Sequence, residues 1–392
     1  GLNIRNRIIE DLKKSDLFRA LPHTPIAAIL LAKLFNENLQ DLPSNMPELY
    51  TKYVELSLGR WDIDKGLQSQ KEFDALISIV TELSVYFMKN ELFEISTSDA
   101  KQLFRNYLKR RNLGLDPEEL FNKLINRCDI ICHDYRKETI YFKHKTFAEY
   151  LYGRSLSLSP ITSFNYDIFD LYWIYSFYFY VGILRDCPDI LNRIIKLIPP
   201  DERSKIIRMI NLGNLLLAGY TTPYETIKQG VKTAFMEATN YYYDIVRKNI
   251  NSSLAKIPKM HLLALIRTIL KENYSFEFFE PALEDIILEA YSYDLDFEKK
   301  ALLLFLLNTS YVETGGVSLF DDLIKEFGSG LPLEIQCAIG HESDSIGSKS
   351  HIIKKMEKKL KKAAGKSRAF NAKLKYLYER PIEMTKYLEE TT

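Results

Sequence analysis

The chain has 392 residues, of which 46% are hydrophobic and 27% charged, an ordinary globular composition that excludes a largely disordered chain and a small disulfide-stapled scaffold. A net charge of +1 excludes a protein dominated by charge of one sign. At about 150 residues per domain the length leaves room for two or three domains with buried cores.

Gly and Pro, at about 4% each, fall below their usual shares, and those present punctuate long periodic stretches, which favours helices. Residues 3–20 carry Ile4, Ile8, Leu12 and Leu17 at helical spacing, and Pro22 stops that helix. Thr24 suits an N-cap and Pro25 a first helical position ahead of the run Ile26 to Phe35. Pro43 and Pro47 mark a loop, after which Leu49, Tyr53 and Leu56 share a helix face ending near Trp61. Leu76, Ile77, Val80, Leu83 and Phe87 form the next stripe. Ser96 to Asp99 has the capping-box pattern before a helix that runs to about Arg110. Asp116 and Pro117 open a third helix with Leu120, Phe121, Leu124 and Ile125. The β-formers Ile130, Ile131 and Thr139 to Phe142 flank the polar turn His133 to Glu138, a hairpin signal. Three helices and a hairpin predict a winged helix.

Beyond Ser155 helices follow one another, with starts or breaks at Pro188, Pro199, Pro223, Pro258, Pro281, Pro332 and Pro381. Their spacing is irregular and no repeat of 30 to 45 residues emerges, so the pattern predicts stacked helical pairs in an irregular superhelix. The apolar run Tyr172 to Leu184 has 13 residues against the roughly 20 needed to span a bilayer, and is expected as a core helix. The fold class is therefore mainly α: a helical domain over 1–65, a winged helix with a small β-hairpin over 66–156, and an irregular α-helical superhelical domain over 157–392.

The string Tyr141-Phe142-Lys143-His144-Lys145-Thr146-Phe147-Ala148-Glu149-Tyr150-Leu151 resembles the end of the winged-helix domain in NACHT-type STAND nucleotide-binding proteins, which include animal NOD-like receptors and bacterial anti-phage sensors. The family pattern is close to F-x-H-x-[ST]-F-x-E-[YF]-L, matched by Phe142, His144, Thr146, Phe147, Glu149, Tyr150 and Leu151. Upstream, Leu21-Pro22-His23-Thr24-Pro25-Ile26, and Leu42-Pro43 through Glu48-Leu49-Tyr50 to Trp61-Asp62, resemble the helical domain that precedes it in that family. The resemblance covers about residues 1–155. It implies that His144 contacts the β-phosphate of bound ADP in a closed state and that Pro25 packs against the adenine. An imidazole N–H can donate to a phosphate oxygen, and a proline ring offers a rigid apolar wall. The bland alternative is that His144 bonds within the hairpin and Pro25 only starts a helix. If the family arrangement holds, both residues should turn toward one concave surface, with neither deeply buried.

The sequence departs from the family in lacking a P-loop, G-x-x-x-x-G-K-[ST]. Gly340 to Ser350 has the wrong gap and no apolar strand before it, and Leu319-Phe320-Asp321-Asp322 echoes a magnesium-holding acidic pair without a phosphate loop. The chain opens at Gly1 rather than methionine, and the expectation is a fragment whose ATPase core precedes it. Cys128, Cys132 and His133 lie close together but lack a second ligand pair at finger or ribbon spacing, so buried thiols are the simpler reading. No catalytic or metal residues are assigned. The four cysteines are too few and too irregular for a disulfide framework, which favours a reducing, cytoplasmic setting.

Charge is concentrated near the C-terminus. From His351 to Arg380 there are nine Lys and two Arg against two Glu, a local charge of +9 that leaves about −8 for the rest of the chain. Ile352, Ile353, Met356 and Leu360 form an apolar stripe flanked by Lys354, Lys355, Lys358, Lys359, Lys361 and Lys362, the candidate polyanion-binding residues. A solvated outer face is the alternative. The aromatic runs Tyr172 to Tyr180 and Tyr241 to Tyr243 read as helix packing.

The expected function is the regulatory, ligand-sensing C-terminal portion of a NACHT STAND ATPase switch in bacterial anti-phage defence or signalling. Such a chain would be no enzyme and hold no cofactor alone. ADP or ATP with Mg would bind in the intact parent. Its partners would be the N-terminal ATPase domain and a trigger ligand, protein or nucleic acid, with an oligomer forming on activation and no membrane involved. The rival is a winged-helix nucleic-acid-binding regulator using residues 117–127, where Lys123 and Arg127 stand beside the opposing Glu118 and Glu119. A passive helical scaffold is the third reading.

Overall fold

A computed structural model of the protein describes residues 25–36, 43, 45–59, 67–158, 166–248, 250–347 and 349–384. The helix expected over 3–20, the string Leu21 to Thr24 and the Trp61-Asp62 pair lie outside the described residues. The described fold is mainly α with one small sheet. Contacts divide the chain into two compact units, Gly1–Ile194 with Ala218–Thr222, and Ile195–Leu217 with Pro223–Thr392.

The first unit contains α1 (Pro25–Asn36), α2 (Met46–Ser57), α3 (Leu67–Lys89), β1 (Ile95–Ser96), α4 (Thr97–Arg111), α5 (Pro117–Arg127), β2 (Ile131–Asp134), β3 (Thr139–Phe142), α6 (Lys145–Leu158) and α7 (Ile174–Leu184). Short polar side chains start these helices by accepting otherwise unpaired N–H groups. Asn45 accepts from Glu48 (2.9 Å), Ser96 from Asp99 (3.0 Å) and Asp116 from Glu119 (2.8 Å). Pro47, expected in a loop, instead sits in the first turn of α2, where its missing N–H costs nothing. The stripe Leu76, Ile77, Val80, Leu83 and Phe87 is buried.

The expected hairpin forms between β2 and β3, with Ile131 opposite Phe142 and His133 opposite Ile140. A third antiparallel strand, β1, pairs Ile95 with Ile140 and gives the order β1-β3-β2. Two residues are too few to show alternation in a sequence, so β1 was not legible there.

An aromatic cluster centred on Tyr50 joins α2, α6 and α7. Its ring centroid lies 5.5 Å from that of Phe147, 5.8 Å from Tyr150 and 4.9 Å from Phe179. The apolar run expected as a core helix becomes α7, which buries Ile174, Phe177, Phe179, Tyr180 and Val181. The superhelical domain was expected from residue 157, yet α7 packs into the first unit. The reason is local: a methyl group at Gly153 of α6 would stand 2.6 Å from the Ser176 carbonyl oxygen, so glycine lets the two backbones meet.

After α8 (Pro188–Lys196), the second unit is built from α9 (Glu202–Ala218), α10 (Tyr224–Arg247), α11 (Lys259–Tyr274), α12 (Glu280–Ala290), α13 (Phe297–Glu313), α14 (Phe320–Phe327), α15 (Leu333–Ser345), α16 (His351–Lys366) and α17 (Arg368–Glu379). Pro223, Pro258 and Pro332 occupy N-cap positions and Pro281 the first turn of α12, as the proline spacing predicts. Every residue from Ala301 to Tyr311 of α13 is buried, so α13 is a central helix with no face for water. It contacts α10, α11, α12, α14 and α15.

Two buried charges inside this unit are paired. Arg208, fully buried on α9, donates from Nη2 to the Ile195 carbonyl (2.6 Å) and from Nη1 to the Leu197 carbonyl, while its Nε stands 3.0 Å from Glu237. The guanidinium thus satisfies two carbonyls in the segment leading into α9. Glu342 of α15, also buried, meets Arg267 and Lys271 of α11, and Lys271 reaches Glu313 of α13 at 2.7 Å.

Three stability outcomes are expected. Arg208→Met should lower the unfolding free energy by about 2–4 kcal/mol, because two carbonyls and Glu237 lose their cation, and urea denaturation measures this. Gly153→Ala should cost about 1–3 kcal/mol by overpacking. Gly365→Ala on α16, where an added methyl meets nothing within 4 Å, should instead stabilise by about 0.5–1 kcal/mol.

Candidate functional site

Two sequence-predicted sites fall in the described residues. The first is His144, between β3 and α6. Its side chain is exposed, and its Nδ1 accepts from the Thr146 backbone N–H at 3.3 Å, which caps the start of α6. The Thr146 hydroxyl lies 2.8 Å from the same nitrogen and 2.6 Å from the Tyr50 hydroxyl.

The direction of these bonds follows from burial. Tyr50 is fully buried, its pKa is pushed up to about 12 by desolvation, and its hydroxyl proton has Thr146 as its acceptor. With Tyr50 donating to Thr146, the Thr146 proton is free to go to Nδ1 of His144. An Nδ1 that accepts from both the N–H and the hydroxyl leaves the proton of the neutral ring on Nε2. Among the described residues Nε2 has no protein partner.

Cations surround this histidine, but each is engaged. Lys143 reaches Asp129 at 3.3 Å, and Lys33 of α1 pairs with the same carboxylate. Lys145 pairs with Glu149 at 3.0 Å and lies over the Tyr172 ring at 3.9 Å. Glu149 is itself buried, and desolvation raises its pKa against the opposing pull of Lys145. The exposed imidazole Nε2–H is thus a donor with no partner among the described residues, which suits a phosphate oxygen. Pro25 begins α1 as expected, while its side chain, and so its expected convergence with His144, lies outside the described residues.

The second site is the outer face of α16. Ile353 and Met356 are buried, with Ile352 and Leu360 partly so, and the helix rests on α14, α15 and α17. Ser350 caps it by accepting from the Ile353 N–H at 3.1 Å and donates to Asp321 of α14. At 100° per residue, Lys354, Lys355, Lys358, Lys359, Lys361 and Lys362 spread over an arc of about 160° on the opposite side. All six are exposed, and among the described residues none forms an ion pair. The helix's own Glu357 is taken by Lys349. By contrast Lys228, Lys232, Lys248, Lys271, Lys325 and Lys349 of the same unit each meet a carboxylate. Like charges at i,i+3 and i,i+4 on a helix cost about 0.2–0.5 kcal/mol per pair, so this face is carried at an energetic loss.

The weaker sequence candidates resolve into structure. Gly340 to Ser345 is helical within α15, Asp321 accepts from Ser350, and Asp322 pairs with Lys325 at 3.0 Å. Burial pushes the Cys128 thiol up to about 11, and His133 Nε2 lies 3.1 Å from the Thr97 hydroxyl. Among the described residues no cluster of His, Cys, Asp or Glu has metal-binding geometry, and no helix is long and apolar enough to cross a membrane. Tyr50 and Thr146 were quoted for their motif positions but not for a shared role. Being 96 residues apart, they offer no spacing signal that could have revealed it.

Residues 214–386 match the family model of the NACHT C-terminal Helical domain 1, a helical region and not a P-loop catalytic part. No curated protein and no solved structure matches the chain. The match runs from within α9 past the end of α17 and takes in the central helix α13 and the lysine face of α16. Over residues 214–386 the chain is therefore similar to the C-terminal helical region of NACHT-type proteins.

Proposed function

We propose that this chain is the regulatory and ligand-sensing C-terminal portion of a NACHT STAND ATPase switch, cytoplasmic and serving bacterial anti-phage defence or signalling. It contributes no catalytic residue of its own. Residues 66–156 act as a winged-helix domain whose role is structural, and the P-loop core that binds ADP or ATP with Mg belongs to a longer parent protein. The observation that carries this reading is His144: an exposed imidazole whose Nδ1 is engaged by Thr146 and whose Nε2–H is unpartnered. When bound, ADP would supply the anionic oxygen that this N–H lacks, and Pro25 would take the adenine side.

The chemistry is that of a population shift. A donor that meets the nucleotide only in the closed state favours that state, and a trigger must bind the open state more tightly to reverse it. Opening would then permit oligomerisation.

The reading of 66–156 as a nucleic-acid-binding winged helix is disfavoured by its own third helix. Lys123 is held by Glu72 and Glu119, both at 2.9 Å, while Glu118 binds Lys101 and Arg105, both at 2.7 Å. Of the two cations on this helix, Lys123 is already neutralised, which leaves Arg127 alone among the acids Glu118 and Glu119.

Three outcomes are expected. In the parent protein, His144→Ala should raise spontaneous activation by about 10- to 100-fold, the loss of one hydrogen bond to a charged group. Unchanged basal activity would remove His144 from the switch. The chain alone should show no ATP hydrolysis above a buffer blank. Its imidazole nitrogen chemical shifts should report the Nε2–H tautomer for neutral His144, with that preference weakened by Thr146→Val, which deletes the hydroxyl and keeps the backbone N–H.

A further inference from the structure

We infer that the exposed face of α16 is a binding surface for double-stranded nucleic acid, contacted through its phosphates and without sequence preference. This goes beyond the switch reading and does not depend on it, because the surface lies wholly on one helix of the second unit.

The ligand must be polyanionic. The lysines of this face have no carboxylate partners among the described residues, although the same unit pairs seven other lysines with acids. Acids are available nearby yet turned elsewhere: Glu357 and Asp344 both serve Lys349. Lys355, Lys358 and Lys362 run along the middle of the arc over about 10 Å of axis, and the whole helix is about 24 Å long. A duplex presents one phosphate charge per about 1.7 Å of its axis, so several of these ammonium groups can meet phosphates together and release the condensed counterions.

The kind of polyanion follows from what the face lacks. A membrane-surface helix inserts its apolar side, but here Ile353 and Met356 are buried against neighbouring helices and cannot reach a bilayer. Single-stranded nucleic acid is held by aromatic side chains on which bases stack, and the exposed arc of α16 has none. Arg, Asn and Gln, whose planar forks read base edges in two bonds, are absent from the arc as well, and lysine offers only a point charge. What remains is lysine alone on a rigid rod, the chemistry of phosphate contact.

The test is fluorescence anisotropy of the whole chain with labelled 24-base-pair DNA duplexes of two unrelated sequences, an RNA duplex and a single strand of equal length. Vesicles containing phosphatidylserine are run alongside by co-sedimentation. The duplexes should bind alike, the single strand more weakly and the vesicles not at all. With three or four phosphates contacted, the log–log salt slope should be about −3, a loss of roughly 50-fold between 50 and 200 mM salt. The triple variant Lys355→Glu, Lys358→Glu, Lys362→Glu should weaken duplex binding at least about tenfold and bring the slope close to zero. The milder triple change of the same lysines to Gln should do the same in part, guarding against a folding defect, while Lys248→Glu, at a carboxylate-paired lysine that caps the C-terminus of α10, should change little. No duplex binding at 50 mM salt overturns the inference. So does binding unmoved by either triple variant, or vesicle binding that equals or exceeds that of the duplexes.

Discussion

The second unit depends on one constraint: α13 has no side for water. A run of eleven consecutive buried residues, Ala301 to Tyr311, can be satisfied only by helices on every side, and α10, α11, α12, α14 and α15 supply them. Each surrounding helix then has an inner apolar face and an outer or lateral polar one. Three of the charges drawn inward are matched: Arg208 with two carbonyls and Glu237, Glu342 with Arg267 and Lys271, Glu334 with Arg247. An unmatched charge at such depth would cost several kcal/mol, so pairing there is a condition of folding.

At α16 that condition is relaxed. It docks through an apolar stripe onto α14, α15 and α17, and its lysines face solvent, where nothing in the fold requires them to be paired or to be positive. Folding would be served as well or better by mixed charge on that face. Paired interior charges such as Arg208 and Glu342 and an unpaired lysine surface thus stand within one unit, and it is this contrast that motivates the binding proposal for α16.

In the first unit burial performs a different task. Tyr50 is sealed among Phe147, Tyr150 and Phe179, and its hydroxyl proton must find an acceptor there. That requirement favours a Thr146 hydroxyl turned to His144 Nδ1, where it adds to the bond from the Thr146 backbone N–H that already makes this nitrogen an acceptor. A core tyrosine and a surface imidazole are thus linked through one threonine, and the aromatic packing of α2, α6 and α7 sets the chemistry of a group in solvent.

Local signals in the sequence determined much of this protein. The caps at Ser96 and Asp116, the helix starts at Pro223, Pro258, Pro281 and Pro332, the hairpin around residues 133–138 and the two-faced character of α16 all follow from residues within one or two turns of each other. The motif around His144 and the lysine cluster were legible for the same reason. Tertiary structure alone decided the rest. That α7 joins the first unit depends on a close approach at Gly153 to a backbone more than twenty residues away, and that α13 is central depends on five helices packing around it. Whether Lys228 or Lys271 is paired depends on carboxylates from other helices, and the Thr146 hydroxyl that meets His144 Nδ1 is shared with a tyrosine nearly a hundred residues earlier. Backbone propensity and periodicity act over a few residues and can be read along the chain. Burial and hydrogen-bond satisfaction act through space, and only the folded chain brings their partners together.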